Sequence, residues 1–434
     1  MTAARLLYVV LALSMVPACL ALWWPDAASI CVAFNFVLLI IVIVDLWRTQ
    51  PKKFLTGTRD VSERLSIGRD NQVLLYVFNQ GNTTLTCRLK DDFPRALDTN
   101  VTEFRFEIAP GAKVTLSYSL TPRRRGSYQF GSVNIRYLSR FGLFWRSATI
   151  KADMPVKVFS DLKALRDLSV KLSHSSELGD LHQRRRGQGT DFASLKEYTV
   201  GDDSRSIDWK ATARRDRPVV RTYEVEREQV LLVLIDAGRM MVSDLEGLSR
   251  FDHALNAGLS LALAGLSRND QVGFGIFADR PLAFLPARRG KGQLTRILEA
   301  TFDTRPQMVE PDYMGVLSYF ASAQKGRSFM VVITDLTDPT GSQMLLAGLA
   351  SLSPKHLPFC VTLKDRQVDQ IAADRSLSID NIYRRAVATD LQAQRELALS
   401  VLQRRGCLVL DSPPQELSTQ LVDRYLAIKA QGRL

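Results

Sequence analysis

The stretch VLLVLID, Val230 to Asp236, decides how the second half of the chain reads. Six apolar residues in a row, closed by a carboxylate, fit a parallel strand. A strand buried on both faces loses the in-out alternation of a half-exposed one. Downstream, FDHALNAGLSLALAGLS (Phe251 to Ser267) carries apolar residues three and four apart, the period of a helix with one buried face. Further strands read from QVGFGIFA (Gln271 to Ala278), LAFLPA (Leu282 to Ala287), SFMVVITDL (Ser328 to Leu336), PFCVTLKD (Pro358 to Asp365) and CLVLDS (Cys407 to Ser412). Helical segments stand between most of these, and a terminal helix follows ELSTQLVDRYLAIKA. Strands alternating with helices build a mainly parallel, doubly wound sheet over residues 230–434.

Ligands of such sheets bind beyond the carboxyl ends of the strands. Asp236 and Asp335 close two of the strands, and like charges at adjacent strand ends repel unless a cation or donors sit between them. A hard, oxygen-ligated cation such as Mg²⁺ suits that place. The competing reading is that each carboxylate caps the helix that follows it.

Upstream the signals change. Between about Leu55 and Ser160, VLLYVFNQ (Val73 to Gln80), TLTCRLKD (Thr84 to Asp91), KVTLSYSL (Lys113 to Leu120) and SYQFGSVNIRYL (Ser127 to Leu138) alternate or run apolar. Turn residues separate them, so residues 51–160 read as a small immunoglobulin-like β-sandwich. Arg123, Arg124 and Arg125 fall in one of its turns, as a solvated loop or a contact with lipid head groups. Residues 161–229 read as a connector.

The first 50 residues differ again. Leu6 to Pro25 and Ala27 to Val44 carry no charge. As helices, each run can cross roughly 30 Å of hydrocarbon. The short WWPDAA connector makes the pair a transmembrane hairpin. Arg5 precedes it, and Arg48, Lys52 and Lys53 follow it. This places the soluble domains in the cytoplasm by the positive-inside rule, with the protein in the inner membrane. A cleaved signal peptide, or a lipoprotein signal at VPAC (Val16 to Cys19), is the rival reading.

The chain has 434 residues and a formal net charge of +12, which fits an anionic surface, an acidic partner or nucleic acid. Arg184, Arg185 and Arg186 add to it, but basic and acidic residues interleave without stacking platforms, so no specific nucleic acid is expected. Gly187 and Gly189 lack the pattern of a phosphate loop. Cys19, Cys31, Cys87, Cys360 and Cys407 form no paired spacing, so neither a disulfide framework nor a zinc site is expected. His174, His182, His253 and His356 lack ligand spacing. No enzyme machinery is expected.

FASLKEYTVGDDSRSIDWKATARR, Phe192 to Arg215, has five basic and four acidic residues and no clean period. It reads as an ordered seam packed by Trp209 and Tyr198. Its carboxylates pair with neighbours, Arg205 near Asp202 and Asp203, and Asp208 near Lys210 and Arg214. A partner-docking surface is the alternative.

Residues 230–434 resemble a von Willebrand factor A domain, whose adhesion-type metal site has an Asp-x-Ser-x-Ser loop and later Thr and Asp ligands. DAGRM supplies Asp236, with Gly238 and Met240 where the serines stand. Asp335 in ITDL matches the later Asp, and Asp312 and Glu310 stand where the Thr is expected. The long segment from Gly189 to Met241 is similar to the signature of the domain-of-unknown-function 58 proteins. Tyr198, Gly201, Asp202, Arg205, Asp208, Trp209 and Arg214 are its notable residues. LTPRRRGSYQFG, FGLFWR and the tail LVDRYLAIKAQGRL resemble the same family. The resemblance implies a membrane-anchored partner of a MoxR-type AAA ATPase, acting in chaperone-like assembly or maturation of other proteins. The other readings are an anionic-surface or nucleic-acid binder and a metal-dependent ligand binder.

Overall fold

The computed structural model describes residues 2–20, 27–49, 51–179, 191–199, 202, 207–215, 217–224, 229–336, 339–353, 355–376 and 378–431. It divides into two compact units, Met1–Phe159 and Ser160–Leu434.

The first unit opens with β1 (Thr2–Ala3) and the helices α1 (Arg5–Leu20) and α2 (Ala27–Arg48). Among the described residues one helix, α2, is long and apolar enough to cross a membrane. The expected connector at 21–26 lies outside the described residues, so a helical hairpin is not shown. Eleven strands follow: β2 (Leu55–Asp60), β3 (Arg64–Ser66), β4 (Asn71–Asn79), β5 (Leu85–Asp91), β6 (Leu97–Thr99), β7 (Phe104–Ile108), β8 (Lys113–Pro122), β9 (Gly126–Phe130), β10 (Val133–Leu138), β11 (Phe144–Ile150) and β12 (Met154–Phe159). They form β-sandwich-like sheets in the orders β1-β11-β10-β5-β7, β2-β4-β8-β6 and β3-β12-β9. The period of two is visible in β4, where Val73, Leu75 and Val77 are buried and alternate with more exposed neighbours.

This unit holds a buried ion pair. Arg59 and Asp91 are almost wholly covered. The guanidinium also donates to the carbonyls of Ala152 at 2.6 Å and Gly131 at 2.9 Å, and Tyr118 donates its hydroxyl to Asp91. Every polar atom of the pair thus has a partner, the condition under which a buried pair is tolerated.

The second unit contains α3 (Leu162–Gly179), β13 (Asp191–Glu197), α4 (Trp209–Arg215), β14 (Val219–Glu224), β15 (Val230–Asp236), β16 (Asp244–Leu245) and β17 (Leu248–Ser249). Then come α5 (Arg250–Ser267), β18 (Gln271–Phe277), β19 (Pro281–Arg288), α6 (Lys291–Thr301), α7 (Tyr313–Ala323), β20 (Phe329–Thr334), α8 (Pro339–Leu352), β21 (Leu357–Leu363), α9 (Arg366–Ala373), α10 (Ile379–Arg404), β22 (Leu408–Ser412) and α11 (Pro414–Ala430). Six strands make one sheet, β19-β18-β15-β20-β21-β22, parallel except for the antiparallel edge β19.

β15 shows why this sheet is covered twice. Leu231, Val233 and Ile235 enter one apolar core with α5 and α11, while Leu232 and Leu234 enter another with α7 and α8. Burying each such side chain contributes about 1.5–3 kcal/mol. Gly258 and Gly265 let α5 approach closely, since a Cβ there would lie 3.0 Å from Ile235 and 2.9 Å from Leu231. At the other end of the sheet Asp270 receives Tyr425 and Lys429 from α11 and the Gln229 amide, which ties the last helix down.

Asp91→Ala leaves the Arg59 charge buried and unpaired. We expect it to lower unfolding free energy by about 3–5 kcal/mol in chemical denaturation of the full-length protein, with Arg59→Met/Asp91→Leu together costing less than Asp91→Ala alone.

Candidate functional site

The carboxyl ends of β15, β20, β21 and β22 converge on a set of charged side chains. Asp236, the last residue of β15, is fully buried. Its carboxylate accepts from the Thr334 hydroxyl at 2.7 Å, the Tyr313 hydroxyl at 2.9 Å and the Gly238 amide at 2.7 Å. Burial, with the Asp335 charge adding to it, raises the Asp236 carboxyl above its ordinary value against the pull of those three donors. Burial likewise lifts the Tyr313 phenol, so it stays protonated and donating.

Asp335 follows β20 and is held by two arginines. Arg250, the first residue of α5, grips one oxygen, and Arg395 of α10 donates to the other at 2.9 Å. Arg250 also reaches Asp365 at 3.1 Å, just beyond β21. Arg395 goes further. It pairs with Asp411 of β22 at 2.6 Å and donates to the carbonyls of Leu336 at 3.1 Å and Leu363 at 2.7 Å. Asp411 accepts from Thr362 at 2.7 Å as well. Burial opposes the Arg395 charge, but Asp335 and Asp411 outweigh it and hold the guanidinium above its usual range. Two guanidinium groups therefore face three carboxylates.

This arrangement does not fit the expected metal site. Asp312 is not brought to Asp236 and Asp335; it caps α7, accepting from the Gly315 amide at 3.0 Å. Glu310 pairs with Arg239. Both oxygens of Asp335 are taken by guanidinium groups. A side chain at Gly238, where the motif has a serine, would meet the Pro311 ring at 2.5 Å. Among the described residues no group of three or more His, Cys, Asp and Glu is placed to hold a metal. The cationic role at the strand ends falls to Arg250 and Arg395, which the chain sequence did not mark: they act 85 and 60 residues from Asp335. Tyr313 was also missed, although it directly follows Asp312 at a helix start.

The signature segment takes a different form from the expected seam. β13 and β14 pair as an antiparallel ribbon, with α4 between them. Trp209 is not buried; it opens α4 and is 71% exposed. Tyr198 is half-buried. Asp202 binds Lys196 at 2.6 Å and Thr199 through amide and hydroxyl, which lowers its carboxyl to about 2. Asp208 accepts from the amides of Lys210 and Ala211, both at 3.0 Å, and so fixes the start of α4. Arg214 is exposed. Gly201, Arg205 and the Arg184–Arg186 run lie outside the described residues.

The other reactive types are quiet. Cys360 and Cys407 are buried and free, and burial pushes the Cys407 thiol up to about 11 and Cys360 well above its ordinary value, which suppresses the nucleophilic thiolate. His253 bonds the Leu245 carbonyl at 2.8 Å, and buried His356 bonds Ser328 at 2.8 Å.

Asp236→Ala strands the Gly238 amide and one of the two hydroxyls, since Tyr313 and Thr334 lie 3.1 Å apart and keep one bond between them, and we expect a loss of about 2–5 kcal/mol at about 1–3 kcal/mol per stranded group. Asp236→Asn keeps an acceptor for Gly238 and should cost less. Because the folded carboxyl is raised, its contribution is fully present below the unfolded value of about 4 and fades as pH rises through the folded value. Stability of the wild type should therefore fall relative to Asp236→Asn as pH climbs from about 4, read by thermal unfolding across pH.

Comparison with known proteins adds the following. An uncharacterised protein of Mycobacterium tuberculosis (strain H37Rv) is 25% identical over 269 residues, which is 57% of this chain and 82% of the relative. The uncharacterised protein YeaD of Bacillus subtilis is 28% identical over 127 residues, 28% of this chain and 31% of its own length. Among solved structures, the conserved hypothetical protein BatB from Bacteroides thetaiotaomicron is similar over 47% of this chain and 99% of its own, at 13% identity and a TM-score of 0.30. A PapD-like domain of human CEP192 covers 24% of this chain and 89% of its own, at 13% identity and a TM-score of 0.17. At these TM-scores neither structure carries weight for fold or function. The family model described as "Protein of unknown function DUF58" matches residues 194–382, from the β13–β14 ribbon into α10, and the chain carries a domain of that family there.

Proposed function

We propose that the protein is a membrane-tethered interaction module whose DUF58 domain docks a protein partner through the face that carries Trp209. The observation behind this reading is the exposure of Trp209 on a rigidly built platform. Asp208 fixes the start of α4. The Val219 amide bonds Thr212 at 3.1 Å, and the Asp208 amide bonds the Val219 carbonyl at 2.9 Å. An ordered backbone that presents a large indole to solvent spends no burial energy on it, and exposed Trp and Arg are the residue types that anchor interfaces. Lys210 and Arg214 of the same helix are exposed as well.

A second apolar stripe runs along α10. Ile379, Tyr383, Val387 and Leu391 recur four residues apart and are 89%, 73%, 47% and 38% exposed. Contiguous exposed apolar surface of this kind marks interaction sites. In this reading the second unit is a von Willebrand factor A-like module that has exchanged its metal for internal arginines. Its strand-end loops stay in one arrangement, and recognition moves to the signature face.

The anchor in this reading is α2, and the basic residues Arg48 at its end and Lys52 and Lys53 beyond it favour a cytoplasmic side for the soluble units by the positive-inside rule. The partner we infer from the family resemblance is a MoxR-type AAA ATPase, with this protein acting beside it in assembly or maturation of other proteins.

The test is co-purification of the full-length protein with such an ATPase, with and without nucleotide, alongside Trp209→Ala. We expect association in at least one nucleotide state. Trp209→Ala should leave unfolding free energy within about 0.5 kcal/mol of wild type and weaken binding by about tenfold or more. Absence of association in both states contradicts the partner, and wild-type binding by Trp209→Ala contradicts the docking face.

A further inference from the structure

The end of α2 is fastened to the β-sandwich through a buried carboxylate. Asp45 lies in the last turn of α2, after 18 uncharged residues, and is fully buried. A carboxylate at a helix C-terminus faces the negative end of the macrodipole, so it needs donors from elsewhere. The turn between β10 and β11 supplies them. Ser139 donates its hydroxyl to Asp45 at 2.6 Å, and the Phe141 amide donates to the other oxygen at 2.8 Å. The Ser139 oxygen in turn accepts from the amides of Leu143 and Phe144, both at 3.0 Å. Thr49, one residue past α2, accepts from the Arg140 amide at 3.3 Å and, through its carbonyl, from Arg146 at 3.1 Å. β1 adds backbone pairing to β11 at Trp145 and Phe144. The joint is built from short, mutually satisfied bonds.

This joint fixes a depth. If α2 spans the bilayer, the 18 residues from Ala27 to Val44 rise about 27 Å, close to the hydrocarbon thickness of roughly 30 Å. Asp45 then stands at the boundary, where the protein covers its charge. Anything within hydrogen-bond distance of Asp45 stands there too. Beside it the surface carries the residue types of a membrane interface. Trp47 is 86% exposed and Phe141, at the tip of the turn, 43% exposed. Arg48, Arg140, Lys52 and Lys53 are exposed around them and complement anionic head groups.

We propose that the Ser139–Leu143 turn is an interfacial lipid-binding edge: Phe141 enters the head-group layer at the depth of Trp47, the surrounding basic residues engage anionic phospholipid, and Asp45 locks the sandwich in that position. The proposal rests on the reading that α2 spans the membrane, and goes beyond it by assigning a lipid contact to the soluble sandwich.

The experiment uses the full-length protein in nanodiscs containing phosphatidylglycerol, with lipids brominated either just below the carbonyls or near the chain ends. Three single-tryptophan forms are compared, with the remaining native tryptophans changed to Phe: one keeps Trp47, one carries Phe141→Trp, and one keeps Trp209. The expected result is strong quenching at positions 47 and 141 by the shallow bromines, weaker quenching by the deep ones, and none at Trp209. Asp45→Ala should reduce quenching at 141 while leaving that at 47. Quenching at 47 without quenching at 141 overturns the proposal and leaves α2 as a span. Absence of quenching at both positions overturns the spanning reading and the proposal with it.

Discussion

Asp335 between Arg250 and Arg395 is the contact on which the second unit depends. A parallel sheet gathers the carboxyl ends of its strands on one side, and with them the carboxylates that close those strands. Left alone, Asp335, Asp365 and Asp411 would repel one another in a poorly solvated place. Two guanidinium groups answer that repulsion with fixed, forked donors, which a point charge on a flexible stem does not offer. Arg395 alone joins α10 to β20, β21 and β22 through two carboxylates and two backbone carbonyls. Asp236 stands one strand over and takes a separate solution. It is satisfied by hydroxyls and an amide, and burial makes it a weaker acid than an ordinary Asp, which limits how much further negative charge the region carries.

That choice of cation has a functional consequence. A metal is exchangeable and brings ligand-dependent rearrangement. An arginine is covalently part of the chain and always charged. The strand-end loops here are therefore held from within, and the recognition surfaces proposed above, the face bearing Trp209 and the stripe along α10, are ones the core does not use. At the other end of the chain the same logic recurs. Asp45, like Asp335, is a buried carboxylate that draws two segments together because leaving it unpaired costs more than ordering the partners.

The central sheet was legible because its signals are local. Val230–Asp236 declares burial on both faces by composition, and the helices around it by a period that any short window shows. The sandwich strands were legible for the same reason. What escaped depends on distance along the chain. Nothing near Arg250 or Arg395 announces a partner at Asp335. The ribbon strand Asp191–Glu197 lacks a clean alternation because its pairing, not its composition, makes it a strand. The size of Trp209 argues for burial, yet α4 presents the indole to solvent. Asp236 and Asp335 were correctly placed at neighbouring strand ends, but their partners were not. The steric reason for glycine at position 238 lies 73 residues away in the Pro311 ring, which nothing in the local sequence announces.

The account turns on the claim that internal guanidinium groups, and Arg395 above all, hold the strand ends together. A double-mutant cycle between Asp335→Asn and Arg395→Met, read by chemical unfolding of the full-length protein, tests it most directly. The account predicts strongly non-additive losses, with a coupling free energy of about 1–3 kcal/mol between the two positions. Losses that add to within about 0.5 kcal/mol would contradict it.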